Sequence, residues 1–454
     1  MIDLRFHRPV RRRPRHVLGV ALLALALATT ASPARAWDAS TPPRFFPSPY
    51  DAEFFHGVAV QPDGGVIVAG TFSHPDVGGY ERECAFVVAR LVRRTGAVDW
   101  RAELPECGDD ETYTFNPEGS SGHEIVRIDP AGDVVVARFL EAGAAVQVVK
   151  LDGGTGEVRW QEVVARVTER TRTTLAVVLD AAGDVLVAGG DGGDHPITLE
   201  LFVAKLDGAS GAERWRRELR GTSTDEDYAL NQADAIAVDA RGDVVVHGRL
   251  VDDGDGDEQL YAAVPLLTKL AGADGRELWR AADGVASTAD VVLDATGDVL
   301  VAGSGEVAKV AGADGATLWR TRIGDVASAF FRLPVTRVAV AGSEVAVASD
   351  APDGVGEALV RVTTLDAASG VVRWQAAVGT PGVDLQHAED RLGGIGFDAA
   401  RNVVVAARVV DPGGFSRPLV ASFDRASGAQ RWEHTLDGSV RTHAGAFGLA
   451  IDGD

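Results

Sequence analysis

The sequence lacks the short motifs that usually mark a reactive or metal-binding site. Its 454 residues include only two cysteines and ten histidines, and they contain no HxH, HExxH, CxxC or GxSxG arrangement. Such arrangements preorganise metal ligands or expose a catalytic nucleophile. The sequence therefore offers no motif for a zinc enzyme or a serine hydrolase.

Positive charge is also scarce, because 44 Lys and Arg residues face 66 Asp and Glu residues, for a net charge of −22. Only four of the 44 are lysines. A surface of this sign repels phosphate and anionic membranes, so we do not expect nucleic acid as a partner. We interpret the negative charge mainly as a solvated acidic surface that aids solubility.

Long apolar runs are absent except near the N-terminus. A basic stretch from Arg8 to Arg15 precedes the apolar residues 17–29, and Ala34-Arg35-Ala36 has the small-x-small form of a cleavage site. This run is too short to span a bilayer, so it predicts a signal peptide over residues 1–36 and no transmembrane anchor. Removing it leaves 37 basic and 65 acidic residues, a net charge of about −28. General secretion is favoured over the twin-arginine route, whose pattern the Arg cluster matches loosely.

What the sequence has in quantity is a repeated eleven-residue phrase, such as KLDGASGAERW, with Gly four residues before Trp. It returns every 40 to 64 residues. Alternating apolar residues, a turn that contains Gly and a second strand that carries the Trp predict a β-hairpin. The seven copies end at Trp100, Trp160, Trp215, Trp279, Trp319, Trp374 and Trp432.

A second phrase precedes the first, as in LDAAGDVLVAG from Leu179, and also predicts a hairpin of β-branched strands. The sixth copy is degenerate around Gly342. Two hairpins per repeat make four antiparallel strands, and seven such units predict an all-β fold, a β-propeller of four-stranded blades, with eight blades as the alternative. The domains expected are a lead-in over residues 37–54 and a propeller over residues 55–454.

The first phrase resembles the tryptophan-docking motif of pyrroloquinoline quinone-type propellers, which include quinoprotein alcohol dehydrogenases and a non-enzymatic outer-membrane assembly lipoprotein. The resemblance covers roughly residues 55–452 and implies that the seven tryptophans pack between adjacent blades. Where that motif commonly has Ala, this chain has Lys150, Lys205, Lys269 and Lys309. A lysine stem lying over an apolar blade edge is favoured there over a ligand contact. The vicinal cysteines of the alcohol dehydrogenases are absent.

Cys84 and Cys107 flank the first of these hairpins, whose turn brings the far ends of its strands together. In an exported protein this placement predicts a disulfide. The loop at Asp253, Asp255 and Asp257 alternates carboxylates that suit calcium. An exposed acidic loop tip is the alternative, because the EF-hand pattern fails at Glu258.

Three polar residues stand five positions before the turns of the second phrase: His56, Glu124 and Asp234. If these strands are innermost, the three side chains converge on the central channel. The alternative is that the ends of inner strands are solvent-exposed and polar in any propeller, without forming a site.

Two functions remain open. The first is an exported, non-catalytic binding scaffold, expected to be monomeric, that recognises a protein or other ligand of the envelope or the exterior through its rim loops. The second is a soluble periplasmic oxidoreductase using pyrroloquinoline quinone and calcium, which the family resemblance alone implies. The chain ends in a further strand-like segment, predicted either to close the ring with residues 447–452 or to mark a fragment of a longer propeller.

Overall fold

The computed structural model describes residues 52–73, 84–104, 126–140, 145–166, 175–192, 199–221, 231–252, 262–281, 290–303, 305–324, 335–349, 360–378, 392–410 and 416–435. These residues form seven antiparallel sheets, each built from four strands that are consecutive in the chain. The fold is an all-β, seven-bladed propeller, which confirms the class predicted from the two repeated phrases.

Each blade runs from an inner strand to an outer edge in chain order. Blades 1 to 4 contain β1 (Ala52–Val60), β2 (Val66–Ser73), β3 (Cys84–Leu91), β4 (Val98–Leu104), β5 (Val126–Ile128), β6 (Val134–Leu140), β7 (Ala145–Leu151), β8 (Val158–Arg166), β9 (Leu175–Leu179), β10 (Val185–Asp191), β11 (Glu200–Leu206), β12 (Glu213–Leu219), β13 (Gln232–Val238), β14 (Val244–Asp252), β15 (Ala262–Leu270) and β16 (Glu277–Arg280). Blades 5 to 7 contain β17 (Asp290–Leu293), β18 (Val299–Gly303), β19 (Glu306–Val310), β20 (Thr317–Arg322), β21 (Thr336–Ala341), β22 (Glu344–Ser349), β23 (Val360–Asp366), β24 (Val372–Val378), β25 (Leu392–Phe397), β26 (Val403–Val410), β27 (Ser416–Phe423) and β28 (Gln430–Thr435).

The first strand of each blade lies beside the first strand of the next, from β1 through β25, so these seven strands are innermost. Apolar side chains on the two faces of each sheet form separate clusters between neighbouring blades. Clusters of this kind occupy all six seams from blade 1 to blade 7. The core is therefore a ring of interfaces, because one four-stranded sheet cannot bury both of its faces alone.

The first hairpin of each blade turns on the Asp/Gly phrase. In blade 2 the Asp129 carboxylate accepts hydrogen bonds from the amides of Ala131 and Asp133, both at 2.8 Å. Blade 7 shows how strongly this turn needs a left-handed residue, because Arg401 takes the glycine position with φ of 63°. Even the degenerate sixth copy forms the hairpin of β21 and β22, with Gly342 at φ 58°.

The prediction that residues 447–452 close the ring falls outside the described residues. It stays a prediction.

Candidate functional site

The repeated tryptophans join each blade to the next through one backbone carbonyl. Trp215 of blade 3 is 8% exposed, and its indole Nε1 donates a hydrogen bond of 3.0 Å to the carbonyl of Gly272 in blade 4. The same bond, from 2.8 to 3.2 Å long, is made by Trp100 to Gly153, Trp160 to Gly208, Trp279 to Gly312, Trp319 to Ala367 and Trp374 to Arg425. A buried indole N–H needs such an acceptor, so the bond fixes where the ring packs.

The conserved spacing of Gly and Trp reflects contact between different repeats. Gly275 has φ of 70°, and the ring of Trp215 packs directly against it. A Cβ at this position would come within 2.7 Å of the indole. An alanine would be disfavoured twice, by its backbone angle and by the ring. Each of the six tryptophans from Trp100 to Trp374 therefore packs on the glycine of the following repeat, not on its own.

Trp432 differs from the other six. In the described part of the chain its half-buried ring contacts only blade 7: it packs against Val404, Ala406 and Val420, and its centroid lies 5.4 Å from the ring of His434. Six tryptophans thus dock on a following blade, while the described contacts of the seventh stay within its own sheet.

The four lysines are buried ion-pair partners, a role of the terminal amine that the sequence did not reveal. Lys205 stands directly opposite Trp215 in the pairing of β11 and β12, so both side chains enter the same seam. Its Nζ lies 2.7 Å from Asp180 and 3.4 Å from Asp184, and donates to the Gly272 carbonyl at 3.2 Å. One carbonyl of blade 4 therefore receives two donors from blade 3.

Lys150 and Lys269 repeat this arrangement. Lys150 lies 2.7 Å from Asp129 and donates to the Gly208 carbonyl, and Lys269 lies 2.8 Å from Asp239 and donates to the Gly312 carbonyl. Lys309 lies 2.7 Å from Asp294. Lys150, Lys205 and Lys269 thus link the turn of the first hairpin in their own blade to the next blade. Lys309 pairs with the turn of its own first hairpin.

A second glycine of the phrase was not singled out from the sequence. At Gly272 an added Cβ would come within 1.9 Å of the Gly242 carbonyl, because the two turns of blade 4 touch there. The same close approach occurs at Gly153, Gly208 and Gly312. The signal was available, since the four repeats that carry the lysine are also the four that read K-[LV]-x-G.

Blades without the lysine use other polar links. In blade 1 Gln61 donates to the carbonyls of Gly132 and Gly153 in blade 2 and accepts from Arg90. Between blades 6 and 7, Glu344 pairs with Arg425 at 2.5 Å. The seams are thus held by different chemistry at equivalent places.

Burial alone would raise the pKa of Asp180, but the hydrogen bond from Lys205 and two backbone amides outweigh it and hold the pKa below its usual value. The pKa of Asp239 and that of Asp294 are lowered for the same reason.

These lowered pKa values predict a loss of stability in acid. A carboxylate with a depressed folded pKa stabilises the fold above its unfolded pKa, and this contribution disappears as the pH falls through the folded pKa. We therefore expect the free energy of unfolding in urea to fall between pH 5 and pH 3. Asp180→Asn should be less stable at pH 5 and should show a smaller drop. An identical drop in both proteins would contradict this role for Asp180.

Two of the three predicted channel residues stand on β-bulges of innermost strands. The pairing of β1 with β2 shifts at His56, and that of β13 with β14 shifts at Asp234. Asp234 is 2% exposed, and its carboxylate lies 3.5 Å from Nδ1 of His247 on the neighbouring strand, which is fully buried. Asp234 is therefore buried against a side chain of its own blade, and its place on the channel stays a prediction. Glu124 lies outside the described residues.

The structure shows charged groups on the innermost strands that the sequence did not reveal. Asp290 accepts from the amides of Val291 at 3.0 Å and Val338 at 2.9 Å, the latter in blade 6. Burial raises the pKa of Asp290, against the opposing charges of Arg337 and Arg127. These three ionisable groups come from blades 5, 6 and 2, and a ring of inner strands brings them together.

The predicted calcium loop at Asp253, Asp255 and Asp257 lies outside the described residues, as does Cys107 of the predicted disulfide. Among the residues that are described, no three His, Cys, Asp or Glu side chains gather in a group that could hold a metal ion. No described helix is long and apolar enough to cross a membrane.

If the acidic loop is a calcium site, removing the ion should lower the thermal stability of the protein. We expect a chelator to lower the melting temperature of the purified protein, and Asp255→Ala to abolish that response. An equal melting temperature with and without chelator would leave the loop as an exposed acidic tip.

Comparison with known proteins places this geometry in a family. A family model described as outer membrane protein assembly factor BamB matches residues 30–252 and 265–448. No curated protein matches the sequence. Among solved structures, BamB from Moraxella catarrhalis is similar at 17% identity, covering 78% of this chain and 82% of that chain with a TM-score of 0.47.

Two enzymes share the fold. The quinohemoprotein alcohol dehydrogenase of Comamonas testosteroni is 12% identical over 88% of this chain and 70% of its own, with a TM-score of 0.50. A europium-containing methanol dehydrogenase is 11% identical over 88% and 81%, also at 0.50. At these identities the likeness concerns the fold alone. The family model spans most of the chain, and the chain belongs to the BamB-like family of propellers with pyrroloquinoline quinone-type repeats.

Proposed function

We propose that the protein is an exported, non-catalytic scaffold that binds a protein or other component of the cell envelope or its exterior. The observation that supports this proposal most is that the repeated Trp, Lys and Asp residues hold neighbouring blades together. In the seam between blades 3 and 4, Trp215, Lys205 and the turn carboxylate of Asp180 are all engaged in docking. These residues need no catalytic role to account for their recurrence.

Family membership supports the same conclusion, because the matching family is described as an assembly factor. The signal peptide predicted over residues 1–36 supports export to the periplasm or beyond. Propellers present loops and outer strands on a rigid frame, which suits recognition of another protein.

The alternative, a quinoprotein oxidoreductase, requires residues that fit the quinone. Arg127 and Arg337 could offset the charge of an anionic ligand. Yet the inner-strand positions equivalent to Arg127 are small or aliphatic, and give no flat aromatic surface on which a quinone would stack: Ala59, Val178, Ala237, Val292, Ala339 and Gly396. No described carboxylate cluster would hold the accompanying calcium. At these positions the described residues offer no support for the cofactor.

A spectroscopic titration separates the two functions. When purified mature protein is mixed with micromolar pyrroloquinoline quinone and calcium and then desalted, we expect the quinone absorbance to stay in the small-molecule fraction. Dye-linked oxidation of alcohols and aldose sugars should equal the protein-free blank. Stoichiometric uptake with substrate-dependent dye reduction would overturn the scaffold proposal and support the oxidoreductase.

A further inference from the structure

The second hairpins of blades 4 and 5 differ from those of other blades at three coupled positions. Blades 2, 3 and 6 share an Asp at the start of the turn, a Thr or Ser before the glycine and an Arg before the tryptophan: Asp152, Thr155 and Arg159; Asp207, Ser210 and Arg214; Asp366, Ser369 and Arg373. Blades 4 and 5 instead carry Ala, Asp and Leu: Ala271, Asp274 and Leu278; Ala311, Asp314 and Leu318.

The exchange removes an exposed ion pair. Arg159, Arg214 and Arg373 each lie 2.7 Å from the Asp that starts the turn of their own hairpin. Leu278 and Leu318 stand in the place of those arginines, with 39% and 51% of their surfaces exposed. The two leucines leave apolar surface where the other blades present a neutralised charge pair.

The exchange also moves the Asp of the turn from its first position to the position before the glycine. Asp274 accepts from the amide of Arg276 and Asp314 from the amide of Ala316, both at 3.0 Å. These bonds lie within each turn, and no ion pair of either carboxylate is among the described contacts. Each hairpin thus offers one exposed carboxylate beside one exposed leucine.

Docking between the blades brings the two sets together. Trp279 follows Leu278 in β16, and its ring packs on Gly315, the residue next to Asp314. Ala316 follows Gly315 and leads into β20, which carries Leu318. The two hairpins therefore meet at the contact of Trp279 with Gly315, and we name their six exchanged positions the outer strip: Ala271, Asp274, Leu278, Ala311, Asp314 and Leu318.

We propose that the outer strip is the docking surface for an extended segment of a partner protein that alternates apolar and basic side chains. This inference rests on the scaffold function proposed above. The apolar side chains of the segment would cover Leu278 and Leu318, and its basic side chains would pair with Asp274 and Asp314.

Charge complementarity selects this occupant over others. The protein carries a net charge of −22, which repels a second copy of itself and any acidic segment. The strip has leucines where the sister blades have arginines, and it retains one exposed carboxylate in each turn. Blade 5 has no arginine between Asp314 and Leu318, whereas blade 4 has the exposed Arg276 between Asp274 and Leu278. Exposed leucines at its centre supply the apolar contact on which such interfaces depend.

The two halves of the strip are not equal. Arg217 of blade 3 donates to the backbone carbonyls of Asp274 at 2.7 Å and Gly275 at 3.1 Å, so a guanidinium already lies beside the blade 4 turn. Blade 4 has Ala281 at the position equivalent to Arg217. Asp314 therefore meets no corresponding arginine and should bind a basic side chain more strongly than Asp274.

The test restores the strip to the pattern of its sister blades. The variant combines Ala271→Asp, Asp274→Ser and Leu278→Arg with Ala311→Asp, Asp314→Ser and Leu318→Arg. Every new residue already stands at the equivalent position of blade 3, so the fold should tolerate it, and an unchanged thermal melt verifies this. The reverse exchange in blade 3, Asp207→Ala with Ser210→Asp and Arg214→Leu, serves as the matched control.

The probe is a short fluorescent peptide of alternating leucine and lysine, measured by anisotropy at physiological salt. We expect the restored variant to lose about tenfold or more in affinity and Asp314→Ser to lose more than Asp274→Ser. The blade 3 control should keep or gain affinity. Equal binding by the native and restored proteins, or equal binding of a leucine–glutamate peptide, would overturn the proposal. Self-association of the native protein that the restored variant loses would assign the strip to a second copy and overturn it too.

A second arm separates failure of the strip from failure of the scaffold function. A photocrosslinking amino acid is placed at Leu318 or, as control, at Arg214, and the protein is irradiated in the cells that produce it. Adducts from position 318 but not 214, together with the peptide result, support the strip. Adducts from 214 alone overturn the strip and leave the scaffold function standing, while adducts from neither position count against both.

Discussion

Replacing Trp215 with alanine is expected to remove about 3 to 5 kcal/mol from the free energy of unfolding. The indole is 8% exposed, lies over Gly275 and packs in the cluster shared by blades 3 and 4. Alanine would leave a cavity between two rigid sheets and would leave the Gly272 carbonyl without one of its two donors. Chemical denaturation monitored by circular dichroism measures the loss.

Trp432→Ala is the matched control. It removes the same side chain from the same repeat position, but the described contacts of Trp432 stay within blade 7 and its ring is only partly buried. We expect a loss clearly smaller than that of Trp215→Ala. A loss below about 1 kcal/mol at Trp215 is the range of ordinary surface substitutions and would show that this ring is not packed between blades.

Lys205→Ala is expected to cost about 2 to 3 kcal/mol. Removing one partner of a buried ion pair leaves the other charge uncompensated, and here Asp180 loses its cation while Asp184 keeps Arg214 at 3.2 Å. We place the loss below that of a pair left wholly without partners, because Asp184 keeps Arg214 and Asp180 keeps the hydrogen bonds from the amides of Ala182 and Asp184. The measurement is again the free energy of unfolding at neutral pH.

The control for this prediction is Arg214→Ala, which removes a half-exposed cation that pairs with Asp207 and with Asp184 in the same blade. The Arg214 side chain is 50% exposed, and exposed pairs contribute about 0 to 1 kcal/mol. Equal losses for Lys205→Ala and Arg214→Ala would contradict the buried role of the lysine.

The propeller could be predicted from the sequence because its signals are local. The phrase that ends at Trp215 contains its own strand alternation, its own turn glycine and its own aromatic residue, and it recurs seven times. Hairpin formation needs only neighbours in the chain. Repetition then implies stacking, since one unit cannot bury both of its faces.

The ion pairs between hairpins could not be predicted in the same way. Lys205 and Asp180 belong to different phrases, and a lysine at a repeated position is equally compatible with a stem lying over an apolar edge. Only the pairing of β11 with β12, which sets Lys205 opposite Trp215, directs the amine into the seam. The charged group at Asp290 depends similarly on strands from three blades.

The sites predicted on long connections remain predictions. Glu124, the Asp253–Asp257 loop and Cys107 lie outside the described residues. The loop and Cys107 also lie between the repeated phrases, where the repeat pattern gives no geometric constraint. His56 lies on an innermost strand, at a bulge in the pairing of β1 with β2 that the repeat pattern does not predict.

The proposal that Trp215 and Lys205 join blade 3 to blade 4 through one carbonyl is tested most directly by a double-mutant cycle. Both side chains donate to the carbonyl of Gly272. Trp215→Phe removes the indole donor while keeping an aromatic ring, and Lys205→Met removes the amine while keeping an apolar stem. Two donors to one acceptor should be coupled, so we expect the two losses in unfolding free energy to deviate from additivity by at least about 0.5 kcal/mol. Trp215→Phe combined with Lys309→Met, in a distant seam, should be additive. Additivity of Trp215→Phe with Lys205→Met would show that the carbonyl does not join the two side chains, and would contradict the account.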